Sequence, residues 1–258
     1  MTRLRRSMLG WGGALGLAPW LAPAPVQAQA RRLVLVSHVL PPYTLPEGSA
    51  LGPGIDVDYA RAALRAAGSP YEVEVLQVPW RRALQMLELG EADFTTSVHI
   101  TEERARYMSF SETYGASVRH YFFARRAAGL KVQRLEELAG YRIGVVAGHA
   151  FPEPLAAALG SRLERAKDLP TLLRMLVAQR VQLAVGTDLP ITWTIRELGL
   201  QTELEQQPLV HDSGRRTQMG FSRARPGHEQ ALEAMNRGLR LLARGDSWKR
   251  LEARYLGA

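Results

Sequence analysis

Cysteine is absent from the 258 residues. Disulfides, thiol catalysis and a lipid-modified cysteine at a processing site are therefore excluded. Lysine is nearly absent too: of 33 basic residues only Lys131, Lys167 and Lys249 are lysines. The basic pairs Arg81-Arg82, Arg125-Arg126 and Arg215-Arg216 are scattered, with no massed block and no aromatic stacking motif beside them. That pattern fits a solvated surface and argues against a nucleic-acid partner. Beyond the first thirty residues the chain shows no internal repeat and no low-complexity segment.

What is present begins with a tripartite leader. Arg3, Arg5 and Arg6 precede a weakly apolar run from Met8 to Leu21, broken by glycine and proline, and Ala-x-Ala spacing follows at Ala28 and Ala30. This reads as an export signal spanning 1–28, with cleavage after Ala28 or Ala30, rather than a membrane span. Arg5-Arg6-Ser7-Met8-Leu9 is also similar to a twin-arginine signal, so both export routes stay open. Removing the three leader arginines lowers the formal charge from +8 to +5. The processed protein is expected to be soluble in the periplasm.

At 46% hydrophobic composition the remaining residues can fill full cores. Leu33 to Val36 reads as a buried strand. Gly52-Pro53-Gly54 opens a helix from about Ile55 to Ala67, Tyr71 to Val78 alternates as a strand, and Trp80 to Leu89 returns to helical spacing before the strand at Ala92. A second β-α series runs from Tyr141 to Leu198. Between the two, Ser117 to Ala124 and Thr217 to Ser222 read as extended crossings, and two helices close the chain. Each series predicts a mainly parallel sheet flanked by helices, with a hinge and a cleft between the two.

The segment from Ala92 to Phe110 carries the clearest chemistry. A strand ending in Thr95, Thr96 and Ser97 offers hydroxyls and backbone donors at its carboxyl end, where open α/β sheets collect ligands. Arg104 adds a planar cationic fork that suits a carboxylate. Together they read as a grip for a small anion or an amino acid.

Six segments in order, LPPYTL, GIDVDYARAALRAAG, VPWRRALQMLELGEADF, TTSVHITEERARYMSFSETY, LEELAGYRIGVVAGHAF and SWKRLEARYLG, resemble the type II periplasmic solute-binding proteins. The likeness is to the polar amino-acid binders of ABC importers, family 3 of the bacterial extracellular solute-binding proteins. It implies a two-lobed Venus-flytrap fold, with residues 31–119 and 219–258 forming one lobe and 120–218 the other. It implies a monomeric, non-enzymatic receptor without a cofactor that closes over a small polar or zwitterionic ligand and delivers it to an inner-membrane permease.

The same resemblance assigns residues. Arg104 matches the arginine that clamps the ligand carboxylate, with Thr96 and Ser97 on the loop before it. Trp80 matches the aromatic wall, and Tyr43 an aromatic of the first loop. Gly148, His149 and Ala150 match a turn whose backbone amides meet the carboxylate at a helix start. Asp56 and Asp58 match an aspartate pair of the first helix, read as structural carboxylates that cap and complement its dipole. His99 stands where the family usually has Ser or Thr, and Thr187 stands where it has the acid that holds the ammonium, with Asp188 one residue on.

His38, His99 and His149 fall on cleft loops by this mapping, but no close His-x-His spacing supports a metal site. His120, His211 and His228 fall outside those loops. A rival reading is an enzyme similar to the periplasmic cyclohexadienyl or arogenate dehydratases. Its second-lobe loop would be AGHAFPE here, with Glu153 as the nearby carboxylate.

Overall fold

The computed structural model describes residues 31–160 and 163–256. The export signal expected over 1–28 lies outside the described residues. The elements run β1 (Arg31–Ser37), α1 (Ile55–Ala66), β2 (Tyr71–Gln77), α2 (Trp80–Glu88), β3 (Phe94–Val98), α3 (Glu102–Ala105), β4 (Met108–Phe110) and β5 (Tyr114–Arg125). They continue with β6 (Ile143–Val146), α4 (Leu155–Leu159), β7 (Leu163–Ala166), α5 (Leu169–Val177), β8 (Leu183–Thr187), α6 (Asp188–Glu197), β9 (Leu204–Ser222), α7 (His228–Leu242) and α8 (Ser247–Leu256).

Strand order is β2-β1-β3-β9-β5-β8-β6-β7, with β4 paired to β9. Around β1 the neighbours β2 and β3 are parallel, and around β6 the neighbours β7 and β8 are parallel. The two parallel groups are joined by β9 and β5, which run antiparallel to each other and to their outer partners. The sheet is therefore mixed and belongs to a two-lobed α/β fold.

Each lobe buries its own apolar residues. In one, Leu35, Phe94 and Phe221 pack with Val57 and Leu64 of α1 and Met235 of α7; the Phe94 and Phe221 rings stack with centroids 5.0 Å apart. In the other, Leu172, Leu173 and Leu176 of α5 cover one sheet face, and Leu138 and Leu155 pack with Phe122 of β5 on the opposite one. The i, i+1, i+4 placement on α5 is the apolar stripe expected of a helix laid on a sheet.

The crossing strands are longer than their sequence suggests. β9 extends back to Leu204, although its first part is polar and carries Pro208 and Gly214, because it pairs with β5 from Arg125 to Tyr114. That pairing slips between Tyr114 and Ser117 and again between Ser117 and Arg119. A third slip lies between Tyr121 and Phe123; bulges of this kind loosen and re-aim a ladder. The short strand β7, LERA, is charged and sits at the sheet edge beside β6, so no apolar run announces it.

Candidate functional site: a histidine-lined cavity between the lobes

The carboxyl ends of β1 and β3 on one side, and of β6 and β8 on the other, face a common cavity. It offers about 70 Å³ to the centres of water-sized molecules, and the space those molecules would fill is larger, enough for a small solute. Tyr43, Trp80, Ser97, His99, Arg104, His149, Ala150 and Asp188 all line it. Thr96 does not. It is 3% exposed and turns to Asp56, because Ser97 takes a left-handed conformation, φ 49°, that breaks the strand's alternation.

Ser97 is itself engaged. Its hydroxyl donates to Asp56 Oδ2 at 2.6 Å and its amide donates to the Tyr114 hydroxyl at 2.8 Å. The Ser97 donors expected at this strand end are thus held by protein groups, while the Thr95 hydroxyl is buried without a partner. Asp56 is fully buried, and burial raises its pKa to about 6 against the lowering effect of Ser97, Thr96 and Tyr114. Asp56 therefore ties α1 to the binding loop, while Asp58 accepts from the Tyr255 hydroxyl at 2.8 Å and ties α1 to α8. Neither carboxylate caps α1, whose N-cap is Gly54. That corrects the capping role expected for the pair.

Arg104 is 5% exposed on α3, a single turn whose N-cap Thr101 accepts from the Arg104 amide. Its Nη1 donates to the His99 carbonyl at 2.9 Å and its Nη2 to the Gly148 carbonyl at 2.8 Å. Trp80 Nε1 donates to the same Gly148 oxygen at 3.0 Å. Two side chains of one lobe thus converge on one carbonyl of the other. The guanidinium also sits 5.6 Å from the Trp80 ring centroid. Five N–H donors belong to arginine, so three remain beyond these two bonds.

The Gly148–Ala150 turn is not a helix start. α4 begins only at Leu155, since Pro152 and Pro154 lack amide donors and push Phe151 and Glu153 away from helical backbone. The His149 amide donates to the Val146 carbonyl at 3.2 Å, which removes one amide expected to meet a carboxylate. Glu153 is exposed and accepts from the Ala157 amide at 3.2 Å. It lies outside the cavity.

Asp188 is the first residue of α6 and 8% exposed. Its Oδ2 accepts from Arg119 Nε at 3.1 Å and Nη2 at 3.0 Å, and its Oδ1 from the Leu189 amide at 2.8 Å. The acid reaches the cavity with its charge already balanced.

Sequence reasoning missed part of the lining. His120, placed outside the cleft by the loop mapping, lines the cavity from β5; Phe151 of the loop before α4 and Trp248 of α8 line it too. Trp248 stacks on Tyr43 with centroids 6.3 Å apart. The inward face of SVRHYFFA, Val118 and His120 on alternate positions, was the available signal. Four histidines therefore share the cavity. His38 lies 5.1 Å from the Trp80 ring and 5.7 Å from the His149 ring, centroid to centroid. Burial is the largest cause holding His38, His99 and His120 down to about 4 and His149 to about 3. For His99 the Arg104 cation adds to it, and for His149 the neighbouring His38 and Arg104 do. All four are neutral near pH 7. Among the described residues no three His, Asp or Glu side chains are placed to share a metal ion.

With this geometry in view, the model of the bacterial extracellular solute-binding proteins, family 3, matches residues 33–258. The chain belongs to that family. No curated protein matches it. Among solved structures, a histidine kinase sensor domain with similarity to periplasmic binding proteins is 25% identical, with a TM-score of 0.74 over 89% of this chain and 97% of that one. The arginine-, lysine-, histidine-binding protein ArtJ of Geobacillus stearothermophilus is 17% identical, with a TM-score of 0.68 over 88% and 96%. The ancestral amino acid-binding protein AncCDT-1, a precursor of cyclohexadienyl dehydratase, is 17% identical, with a TM-score of 0.68 over 87% and 95%. The last two likenesses speak for the fold of this family-3 protein.

Proposed function

We propose that this family-3 protein is the periplasmic receptor of an ABC importer, a monomer that closes two lobes over a small polar carboxylate such as an amino acid and presents it to an inner-membrane permease. The observation that carries the reading is the meeting of Arg104 and Trp80 with the Gly148 carbonyl at the edge of the cavity. A cationic fork and an aromatic plane from one lobe, closing on the other, suit a ligand with one carboxylate and a compact body. Closure then follows from contacts that exist only when both lobes are engaged. In this reading the hinge is the bulged stretch of β5 and β9, and Arg104, Trp80, Tyr43, His99 and His149 touch the solute.

Binding without turnover is favoured over the dehydratase reading by the position of Glu153, whose carboxylate accepts from the Ala157 amide and does not line the cavity. The likeness to a sensor domain favours a second reading, in which the same cavity reports a ligand instead of delivering it. A thermal-shift screen of amino acids, polyamines, dicarboxylates and divalent metals on the purified protein tests the shared core. Stabilisation by one class of small solute supports it, and no shift with any class contradicts it. Uptake of the labelled hit, compared between cells with and without the gene, separates transport from sensing.

A further inference from the structure

Resting on the reading of this cavity as the solute site, we propose that its ligand is an anion with no ammonium group, and that His38 takes up a proton as it binds. The charge inventory carries this. Facing the cavity are Arg104 from α3 and the histidines His38, His99, His120 and His149 from four different segments. Among the described residues the one carboxylate lining it is Asp188, with Oδ2 held by Arg119 and Oδ1 by the Leu189 amide. Asp56 stands behind Ser97, outside the lining. An ammonium would meet no free acid and would sit near a guanidinium. An anion would meet the Arg104 guanidinium, which keeps donors beyond its two carbonyl bonds, and a set of imidazoles able to donate.

His38 is the group best placed to respond. Neither of its ring nitrogens has a partner, and both are buried. Its neighbours are the Trp80 indole and the His149 ring, with no carboxylate beside it. The other charged or titratable groups around the cluster are Arg215 near His99, His211 beside His120 at 5.9 Å between centroids, and Tyr43, Arg119 and Asp188 on the far wall. Burial keeps His38 neutral while no anion is present. A negative charge at hydrogen-bonding distance favours the imidazolium and reverses that balance. A metal ion is a poorer fit, since no three of these ligands converge on one point and Arg104 opposes a cation.

The test is titration calorimetry on the purified protein at pH 5.5, 6.5 and 7.5, in two buffers that differ in heat of ionisation. Pyruvate, malonate, succinate and inorganic phosphate form one set of probes, and glycine, alanine and glutamine the other. A member of the anion set is expected to bind, with affinity rising about tenfold per pH unit of acidification for each proton taken up and with heats that differ between buffers. His38→Gln should reduce the proton uptake and flatten the profile. Binding of an amino acid without proton uptake overturns the inference and leaves the solute-receptor reading standing. Anion binding with no proton uptake overturns the part given to His38. Failure of every anion probe overturns the inference, and the reading beneath it falls with it if the wider thermal-shift screen also gives no shift.

Discussion

Trp80 Nε1 and the carbonyl oxygen of Gly148 lie 3.0 Å apart across the cleft, so an indole buried in one lobe is bonded to a turn of the other. Trp80 is 5% exposed and packs against Val36, Ala83, Met86 and Leu87. Trp80 both lines the cavity and packs in the core. Trp80→Ala should therefore lower stability by about 3–5 kcal/mol and weaken binding as well. Trp80→Phe keeps most of the packing and loses the hydrogen bond, about 1 kcal/mol. Urea melts and titrations of both variants separate the two contributions.

Gly148 has φ 81°, and a Cβ there would lie 3.0 Å from Trp80 Cδ1. Gly148→Ala should cost about 1–2 kcal/mol of backbone strain and push the indole off its carbonyl. The expected signature is a lower melting temperature together with an altered tryptophan emission, and an unchanged spectrum would mean that the indole does not rest on this turn.

Acid should destabilise the unliganded protein. The cavity histidines have folded pKa values of about 3 to 4, below the ordinary value of 6.5. Unfolding then takes up protons as pH falls below 6.5, and the loss grows until the folded values are reached. Asp56 works in the opposite sense: its folded pKa near 6 exceeds the unfolded 3.8, so its titration adds stability between pH 6 and 4. Four histidines outweigh one aspartate. Urea midpoints at pH 7, 6 and 5 should decline in that order, and more steeply in Asp56→Asn.

Ligand should compact the molecule, with β5 between Tyr114 and Arg119 and the facing part of β9 absorbing the change. Small-angle scattering is expected to give a smaller radius of gyration at saturating ligand. An identical profile would point to a rigid module.

Much of this fold is legible in the sequence because its elements carry one-sided patterns. The stripe of α5 and the buried run of β1 fall where periodicity and apolar runs put them. The long β9 and the edge strand β7 were hidden, since pairing with β5 and β6 holds them without an apolar pattern of their own. At the site, Arg104 and Trp80 were legible as residue types on a strand-loop-turn. Two things were not: that Ser97 is bound to Asp56, which depends on one left-handed residue, and that His120 looks into the cavity, which depends on how β5 lies against β8. Tertiary placement decided both.

The most direct measurement is a calorimetric titration of Arg104→Ala with whichever solute stabilises the wild-type protein in the screen. Removing a buried cation from its carboxylate partner typically costs about 2–5 kcal/mol, more than tenfold in affinity. The account predicts a loss of at least that size in a variant that still melts cooperatively. Wild-type affinity in the folded variant would contradict it.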